Sequence, residues 1–304
     1  MAMKVLLLTS GSDWANLGYT FSRSLQTVGI DAIMLGKSPR AYGYPNRGIS
    51  VGDISSHVES ADIIQFMHST YVETGIDLGD KRVFVFHGGG HYRDNPFEIN
   101  RLFNPIVEKT LIQTGDLFGK GAKNEVLLSP AIDIEQIAPV FKSVNSNRLV
   151  IGHFPSSSED KGSDIIAQAI KLVNYDKKFF GKFLYVTSES KVKWRENIER
   201  MSYCDIYIEQ MKLGEWGISA LEAAALGKVV ITNFKSEVMY LKEYGNHELV
   251  IANNINELVF SIKKILSMDQ WEILNKKNKT REWVEKVHNL SATGKRLKEV
   301  IYGI

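Results

Sequence analysis

The chain has 304 residues, of which 44% are hydrophobic and 24% are charged, an ordinary composition for a globular protein. Its formal net charge is only +2, so the overall electrostatic field does not indicate nucleic acid as a partner. The single cysteine, Cys204, excludes a disulfide framework and a cysteine-rich zinc site. The length favours one large domain or two domains of medium size.

The first predicted element is a buried strand over residues 4–9. Its apolar stretch is too short for a secretory signal, and no apolar run approaches the roughly 18–20 residues that span a bilayer. We therefore expect a cytoplasmic location. Basic residues are concentrated in 275–288 and 293–300, which leaves two interpretations open: a solvated helical face, or weak peripheral association with the inner face of an anionic membrane.

Short apolar runs rich in β-branched residues recur along the chain, and most of them do not alternate with polar residues. Continuous apolarity is typical of parallel strands that helices cover on both faces. The strands predicted after the first are 31–35, 62–67, 82–86, 110–114 and 125–129, and a second series follows at 148–153, 182–187, 205–209, 228–232 and 248–252.

Helical patterns fill the gaps between these strands. Residues 163–174 form an amphipathic pattern with Ser163 as the predicted N-cap, and the pattern is helical from residue 254 to the end. Two series of alternating strands and helices predict an α/β protein with two Rossmann-like, doubly wound domains facing each other across a cleft. Ligands of this architecture bind at the carboxyl ends of the strands.

The boundary between the domains is predicted where Pro139 and the polar run 143–147 interrupt the pattern, with a hinge near 140–147. We predict an N-terminal domain over residues 1–143 and a C-terminal domain over residues 144–285. A final helix over residues 286–304 can pack back on the N-terminal domain. The oligomeric state is left open.

The loop after the first strand, TSGSDWANLGYT, places Gly11 and Gly18 around a predicted helix start. It lacks the dinucleotide fingerprint, and the chain contains no P-loop, so both kinds of nucleotide site are disfavoured. Two interpretations stay open: a helix start at which Gly18 lets the backbone approach an anion, or a plain turn.

The loop FHGGGHYRD, residues 86–94, has three consecutive glycines between two histidines. Glycine lets the backbone come close to a ligand, and a histidine at a strand end can hydrogen-bond a sugar hydroxyl or a developing charge. The alternative is a histidine that nearby backbone groups satisfy. The candidate residues of this loop are His87, Gly88, Gly89, Gly90, His91 and Arg93.

In the predicted C-terminal domain, HFPSSSEDKGSD places Lys161 and Gly162 at what the pattern indicates is a helix start. A lysine beside free N–H groups can form a phosphate site, because the ammonium charge and the helix dipole act together.

The stretch LGEWGISALEAAALGKVVITN contains a second predicted helix start, at Gly217, with a helix over 218–226. The unpaired N–H groups around Ile218 and Ser219 can bind an anion. Glu222 lies one turn further on, where it would repel a phosphate, so we expect it to accept hydrogen bonds from a neutral vicinal diol such as ribose. The alternative is an acid that the helix dipole favours.

These residues resemble a family. HFPSSSEDKGSDIIAQAI followed by CDIYIEQMKLGEWGISALEAAALGKVVITN is similar to the C-terminal half of retaining GT-B glycosyltransferases of family 4 (glycosyl transferases group 1), and LLSPAIDIEQIAP resembles the run before their interdomain hinge. The resemblance covers about residues 125–235 and is weak before residue 80.

The resemblance implies the GT-B fold and the transfer of a sugar, with retention of configuration and without a metal or other cofactor, from a nucleotide-diphosphate sugar. The donor would bind mainly to the C-terminal domain, with Lys161 on the diphosphate, Glu222 on the ribose and the amides after Gly217 on the phosphates. His87 would contact the donor sugar. The acceptor, a glycan, a lipid-linked molecule or a small molecule, would bind mainly to the N-terminal domain.

Two departures from the family pattern are visible. The family usually has two glutamates with seven residues between them, whereas Glu215 and Glu222 are separated by residues 216–221, so the position of the first glutamate falls on Gly214. Glu215 is therefore a catalytic candidate only if its loop is shifted. The arginine that normally precedes the lysine of the diphosphate loop is also absent. These departures keep two alternatives open: a non-catalytic GT-B protein that binds a nucleotide sugar or glycan, and a GT-B nucleotide-sugar epimerase.

Overall fold

The structure is a computed structural model that describes residues 3–37, 42–45, 47–49, 54–141, 148–188 and 190–304. The chain divides into two compact units. Unit 1 consists of Met1–Asp133 together with His288–Ile304, and unit 2 consists of Ile134–Val287.

Unit 1 is built on a six-stranded parallel sheet in the order β2-β1-β3-β4-β5-β6. Its strands are β1 (Lys4–Ser12), β2 (Asp31–Lys37), β3 (Ile63–Phe66), β4 (Arg82–His87), β5 (Lys109–Ile112) and β6 (Glu125–Leu127). The helices between them are α1 (Leu17–Gln26), α2 (Ile54–Ser60), α3 (Gly89–Asp94) and α4 (Pro96–Phe103), with 3-10 turns at Trp14–Asn16 and Gly115–Leu117. All four residues of β3 are buried, because helices cover both faces of the sheet.

Unit 2 has a five-stranded parallel sheet in the order β11-β10-β9-β7-β8. Its strands are β7 (Leu149–His153), β8 (Phe183–Thr187), β9 (Ile206–Ile208), β10 (Val229–Thr232) and β11 (Val250–Ile251). Its helices are α5 (Ser158–Lys161), α6 (Ser163–Tyr175), α7 (Trp194–Ser202), α8 (Ile218–Ala225), α9 (Glu237–Tyr244), α10 (Ile255–Leu266) and α11 (Gln270–Val287), with a 3-10 turn at Ile134–Gln136. Helices α6 and α10 pack their buried apolar residues on one face of this sheet.

The last part of the chain belongs to unit 1. Helix α12 (Leu290–Lys295) is followed by a π-helical segment, Arg296–Tyr302, and α12 packs on α1. The hydroxyl of Tyr302 donates a 2.6 Å hydrogen bond to Oε1 of Gln65, and Lys109 donates to the carbonyl of Ile301 at 2.8 Å. These contacts attach the segment to the sheet of unit 1.

Three buried cationic side chains donate hydrogen bonds to backbone carbonyls in the stretch that follows the division between the units. Lys228 donates to the carbonyl of Val140 at 2.6 Å, Arg281 to that of Ile137 at 2.9 Å and Lys277 to that of Phe141 at 3.1 Å. Residues 137–141 therefore belong to unit 2, and the division falls after Asp133 rather than at the predicted residue 143. Residues 142–147 of the predicted hinge lie outside the described residues.

The eleven predicted strands are confirmed, each with both ends within three residues of the observed bounds. Continuous apolar runs predicted them correctly because both sheets are parallel and covered by helices. The helices predicted at 163–174 and 218–226 are confirmed as α6 and α8. In the part of the chain that the structure describes, no helix is both long and apolar enough to cross a membrane.

The packing of α12 on α1 can be tested at Gly294. A side-chain carbon at this position would lie 2.1 Å from the backbone carbonyl oxygen of Ser24. Alanine normally stabilises a helix by about 1 kcal/mol relative to glycine, but here we expect Gly294→Ala to lower the free energy of unfolding by roughly 1–3 kcal/mol through steric overlap. Chemical denaturation measures the change. Ser291→Ala, at an exposed position of the same helix, is the control, and equal or greater stability of Gly294→Ala would contradict the close approach.

Candidate active site

The loops that follow β7 and β9 meet at the carboxyl edge of the sheet of unit 2. A side-chain carbon built on Gly217 would lie 3.2 Å from Nζ of Lys161. Since β7 and β9 are neighbours in the sheet, the loops after them are neighbours as well. The structure therefore brings together Lys161 and the start of α8, two of the candidates that the sequence identified separately.

The helix start predicted at Lys161 and Gly162 is confirmed, since Gly162 is the N-cap of α6, but the sequence missed the short helix α5 that precedes it. Lys161 is the last residue of the short helix α5, and Gly162, with φ +67°, ends that helix and begins α6. A left-handed residue is inexpensive only for glycine, so the Lys-Gly pair marks a break between two helices. The predicted N-cap, Ser163, is instead the first residue of α6, and its hydroxyl lies 2.8 Å from Nε2 of His153.

A residue that sequence reasoning missed, Glu209, lies at the centre of this edge. Its side chain is fully buried and forms an ion pair with Lys161. It also accepts hydrogen bonds from the amide of Gly217 at 3.3 Å, the hydroxyl of Ser219 at 3.1 Å and the hydroxyl of Thr232 at 3.2 Å. A carboxylate of the chain itself therefore holds the amide of Gly217 and the hydroxyl of Ser219, directly beside the amides of Ile218 and Ser219 that were predicted to bind a phosphate. An acid at the end of a continuous apolar strand was the available sequence signal.

Glu222 is buried in α8 and has a partner within unit 2. The indole Nε1 of Trp194, at the start of α7, donates a 2.7 Å hydrogen bond to its Oε1. Burial raises the pKa of Glu222 to about 7, and the hydrogen bond from Trp194 opposes part of that rise. At neutral pH the group is therefore divided between its acid and its carboxylate, which differ in what they can donate and accept.

Glu215 lies in the loop that Gln210 organises. The side-chain oxygen of Gln210 accepts from the amides of Lys212 at 3.0 Å and Leu213 at 2.8 Å, and its nitrogen donates to the carbonyl of Glu215. Glu215 is 6% exposed. The next residue, Trp216, packs edge-on against an aromatic cluster consisting of Phe234, Tyr240 and Trp283. The loop therefore points its aromatic residue inward and has a defined shape.

In unit 1, a buried carboxylate occupies the helix start at which an anion was one interpretation. Asp13 accepts hydrogen bonds from the amides of Gly18 at 2.8 Å and Tyr19 at 2.9 Å. Nε2 of His68, at the end of β3, lies 2.7 Å from Oδ1 of Asp13. Sequence reasoning singled out neither Asp13 nor His68, because nothing in either local pattern shows that the two loops meet.

His87 lies at the carboxyl end of β4 and is fully buried. Its Nδ1 lies 3.0 Å from the hydroxyl of Ser69, and its ring stacks on Tyr92 with centroids 3.9 Å apart. Nε2 of His87 has no hydrogen-bond partner among the described residues. Burial lowers the pKa of His87 to about 3, so the ring is neutral at physiological pH.

The three glycines after His87 form the beginning of a helix rather than an extended loop. Gly88 is the N-cap of α3, which begins at Gly89 and includes Gly90. A side-chain carbon at Gly88 would lie 2.1 Å from Oε1 of Gln113, so a larger residue there would require the Gln113 side chain to move. His91 is exposed, and Arg93 is paired with Asp116 at 2.7 Å, so its charge is already compensated within unit 1.

The buried carboxyl of Glu222 makes the stability of the protein depend on pH. Because its folded pKa is about 7 against an ordinary value of 4.5, the folded state is favoured below pH 4.5 and loses this contribution as pH rises through 7. We expect wild type to lose about 3 kcal/mol of unfolding free energy relative to Glu222→Gln across this window. Denaturant unfolding at several pH values measures the difference, and parallel profiles for the two proteins would contradict the buried, titrating carboxyl.

One segment of the chain matches a known protein family. Residues 186–287, a segment of unit 2 that includes α7 and α8, match the family model described as glycosyl transferases group 1. The sequence has no significant match among curated proteins.

Solved structures resemble the whole chain. Sucrose-phosphate synthase from Thermosynechococcus elongatus aligns with a TM-score of 0.63 at 13% identity, covering 98% of each chain. HepE from Anabaena in complex with UDP-glucose aligns with a TM-score of 0.58 at 14% identity, covering 99% of this chain and 100% of that one. The apo structure of OtsA aligns with a TM-score of 0.65 at 10% identity over 100% of both chains. The fold is therefore the GT-B fold, as the sequence resemblance implied.

Proposed function

We propose that the protein is a glycosyltransferase that moves a sugar from a nucleotide-diphosphate sugar to an acceptor. The observation that carries this proposal is the match of residues 186–287 to glycosyl transferases group 1. That segment includes the start of α8, where Gly217 and Ser219 lie beside Lys161. HepE, which shares the fold, is described in complex with UDP-glucose, and this supports a nucleotide sugar as the donor.

On the donor side, Lys161 and the first amides of α8 would hold the diphosphate. Fixed N–H donors and an ammonium stabilise the charge that develops on the leaving diphosphate, and such preorganised groups contribute most of the rate in many enzymes. Glu222 would accept hydrogen bonds from the ribose hydroxyls. Because Trp194 already donates to one oxygen of Glu222, a diol would use the other oxygen or replace the indole.

The stereochemistry and the acceptor are further parts of the proposal. We propose transfer with retention, without a metal, to a glycan, a lipid-linked acceptor or a small molecule bound mainly by unit 1. The neutral His87, with Nε2 available for a hydrogen bond, would contact the donor sugar. The anomeric configuration of the product, measured by NMR, tests retention: an inverted product would contradict it.

Substitution of the donor-site residues tests the function directly. We expect Lys161→Ala to reduce sugar transfer by about 100-fold or more, since removal of one charge-stabilising donor typically costs 10²–10³ in rate. We expect Glu222→Ala to reduce it by about 10-fold or more, since loss of a hydrogen-bond acceptor for the ribose costs about 1.5–3 kcal/mol. A product assay measures transfer. Lys171→Ala, at an exposed position of α6, is the matched control.

Folding must be separated from catalysis in this test. Lys161→Ala leaves the buried Glu209 without its cation, which can destabilise the fold by several kcal/mol. The double variant Lys161→Ala/Glu209→Gln removes both charges and keeps the test valid. Wild-type turnover in folded Lys161 and Glu222 variants would overturn the assignment of these residues.

The base and sugar of the donor can be identified by ligand-induced stabilisation. UDP-, GDP-, ADP- and dTDP-sugars are compared in a thermal-shift screen. A donor present at 100 times its dissociation constant adds about 2.7 kcal/mol to the free energy of unfolding. We expect one class of base to raise the melting temperature by several degrees, whereas no shift with any nucleotide sugar would argue against a donor site.

One observation favours a second function, the binding of a nucleotide sugar without transfer. Glu209 neutralises Lys161, and Trp194 already satisfies one oxygen of Glu222, so the candidate site is internally compensated. Calorimetric binding of a donor with neither transfer nor hydrolysis across a broad panel of acceptors would support this function. Turnover with any acceptor would exclude it.

A further inference from the structure

The ion pair between Lys161 and Glu209 changes the charge of the proposed diphosphate site. Glu209 is fully buried and accepts from four donors: Lys161 Nζ, the amide of Gly217 and the hydroxyls of Ser219 and Thr232. A phosphate bound by the amides after Gly217, at the start of α8, would need the same ammonium. The charges of Lys161 and Glu209 cancel each other, so this lysine offers an incoming diphosphate no net charge while the pair is intact.

The position of Glu209 is held by more than Lys161. If the ammonium turns to a ligand, the amide of Gly217 or the hydroxyls of Ser219 and Thr232 remain as donors to the carboxylate. A buried carboxylate with such neutral donors can stay in place. Glu209 would then lie close to the phosphate oxygens and repel them, because like charges a few ångströms apart in a partly desolvated site interact strongly.

We propose that Glu209 competes with the diphosphate for Lys161 and the start of α8, and that this competition favours release of the nucleoside diphosphate after transfer. The inference rests on the proposed glycosyltransferase function and adds a residue that distinguishes product from donor. Glu209 is a positioning and affinity-setting residue, which acts through Lys161 and through repulsion of the leaving group.

The difference in charge between the nucleotide-sugar donor and the nucleoside diphosphate product explains why Glu209 would weaken binding of the product more than binding of the donor. During transfer the bond between the anomeric carbon and the β-phosphate oxygen breaks, and its electron pair stays on that oxygen. The acceptor hydroxyl forms the new bond to the anomeric carbon, and its proton is released to solvent, since the terminal phosphate is mostly ionised at neutral pH. A terminal phosphate has a second ionisation near pH 6, so the product carries about one more negative charge than the donor at neutral pH. The fixed carboxylate of Glu209 therefore repels the product more strongly than the donor.

The experiment measures the affinity of wild type and Glu209→Gln for inorganic pyrophosphate, UDP and UDP-glucose by calorimetry. Glutamine retains the size and an acceptor oxygen but removes the charge. We expect Glu209→Gln to bind pyrophosphate and UDP about tenfold or more tightly than wild type, with a smaller gain for UDP-glucose. The ratio of the dissociation constants of UDP and UDP-glucose therefore falls. Glu199→Gln, which removes the same charge at an exposed position of α7, should leave all three affinities unchanged.

Unchanged or weaker binding of pyrophosphate by folded Glu209→Gln would overturn the proposal, and so would an equal gain for UDP and UDP-glucose. If the variant does not fold, a crystal structure of wild type with pyrophosphate decides the question. Lys161 turned from Glu209 to the phosphate supports the competition, whereas Lys161 still paired with Glu209 refutes it. Pyrophosphate binding does not depend on transfer, so failure of the glycosyltransferase function would appear separately, in the product assay.

Discussion

The ion pair between Lys161 and Glu209 is the interaction on which the carboxyl edge of unit 2 depends. It joins Lys161, which follows β7, to Glu209, the first residue after β9. Through the amide of Gly217 and the hydroxyl of Ser219, Glu209 also contacts the start of α8. A buried carboxylate is tolerated only when it is paired and hydrogen-bonded. The positions of these loops are therefore linked. Loss of the charge on Lys161 or on Glu209 would alter the contacts of all of them.

Each unit contains a buried carboxylate that accepts hydrogen bonds from an amide at a helix start. Asp13 accepts from the first amides of α1 in unit 1, as Glu209 accepts from the amide at the start of α8 in unit 2. A helix start presents unpaired N–H groups and a positive dipole end, so it stabilises a buried carboxylate. Each carboxylate also holds a second functional group, His68 in one unit and Lys161 in the other. In unit 1 the acid occupies the place where the sequence alone suggested an external anion, and in unit 2 it lies beside the amides for which one was suggested.

Much of the architecture was predictable from the sequence because it follows from local rules. Apolar runs without alternation require burial on both faces, and this requirement located the strands of both parallel sheets. The glycine at 217 and the small residues after it correctly indicated the start of α8. Local rules located the start of α6 at Gly162 but missed the short helix α5, which ends at Lys161. They also failed at the boundary between the units, because the carbonyls of residues 137–141 are bound by cations distant in sequence.

The sequence by itself determined the elements, their order and the residue types at the strand ends, because these depend on the spacing of neighbouring residues. It also identified Lys161, Gly217 and Glu222 as chemically unusual. Only the tertiary structure decided what those residues contact: Glu209 as the partner of Lys161, Trp194 as the donor to Glu222, and Asp13 as the acceptor for Gly18. The reason is that the two residues of each of the first two pairs come from different elements of the fold, and the energy of a buried charge depends on groups that only folding brings within hydrogen-bonding distance.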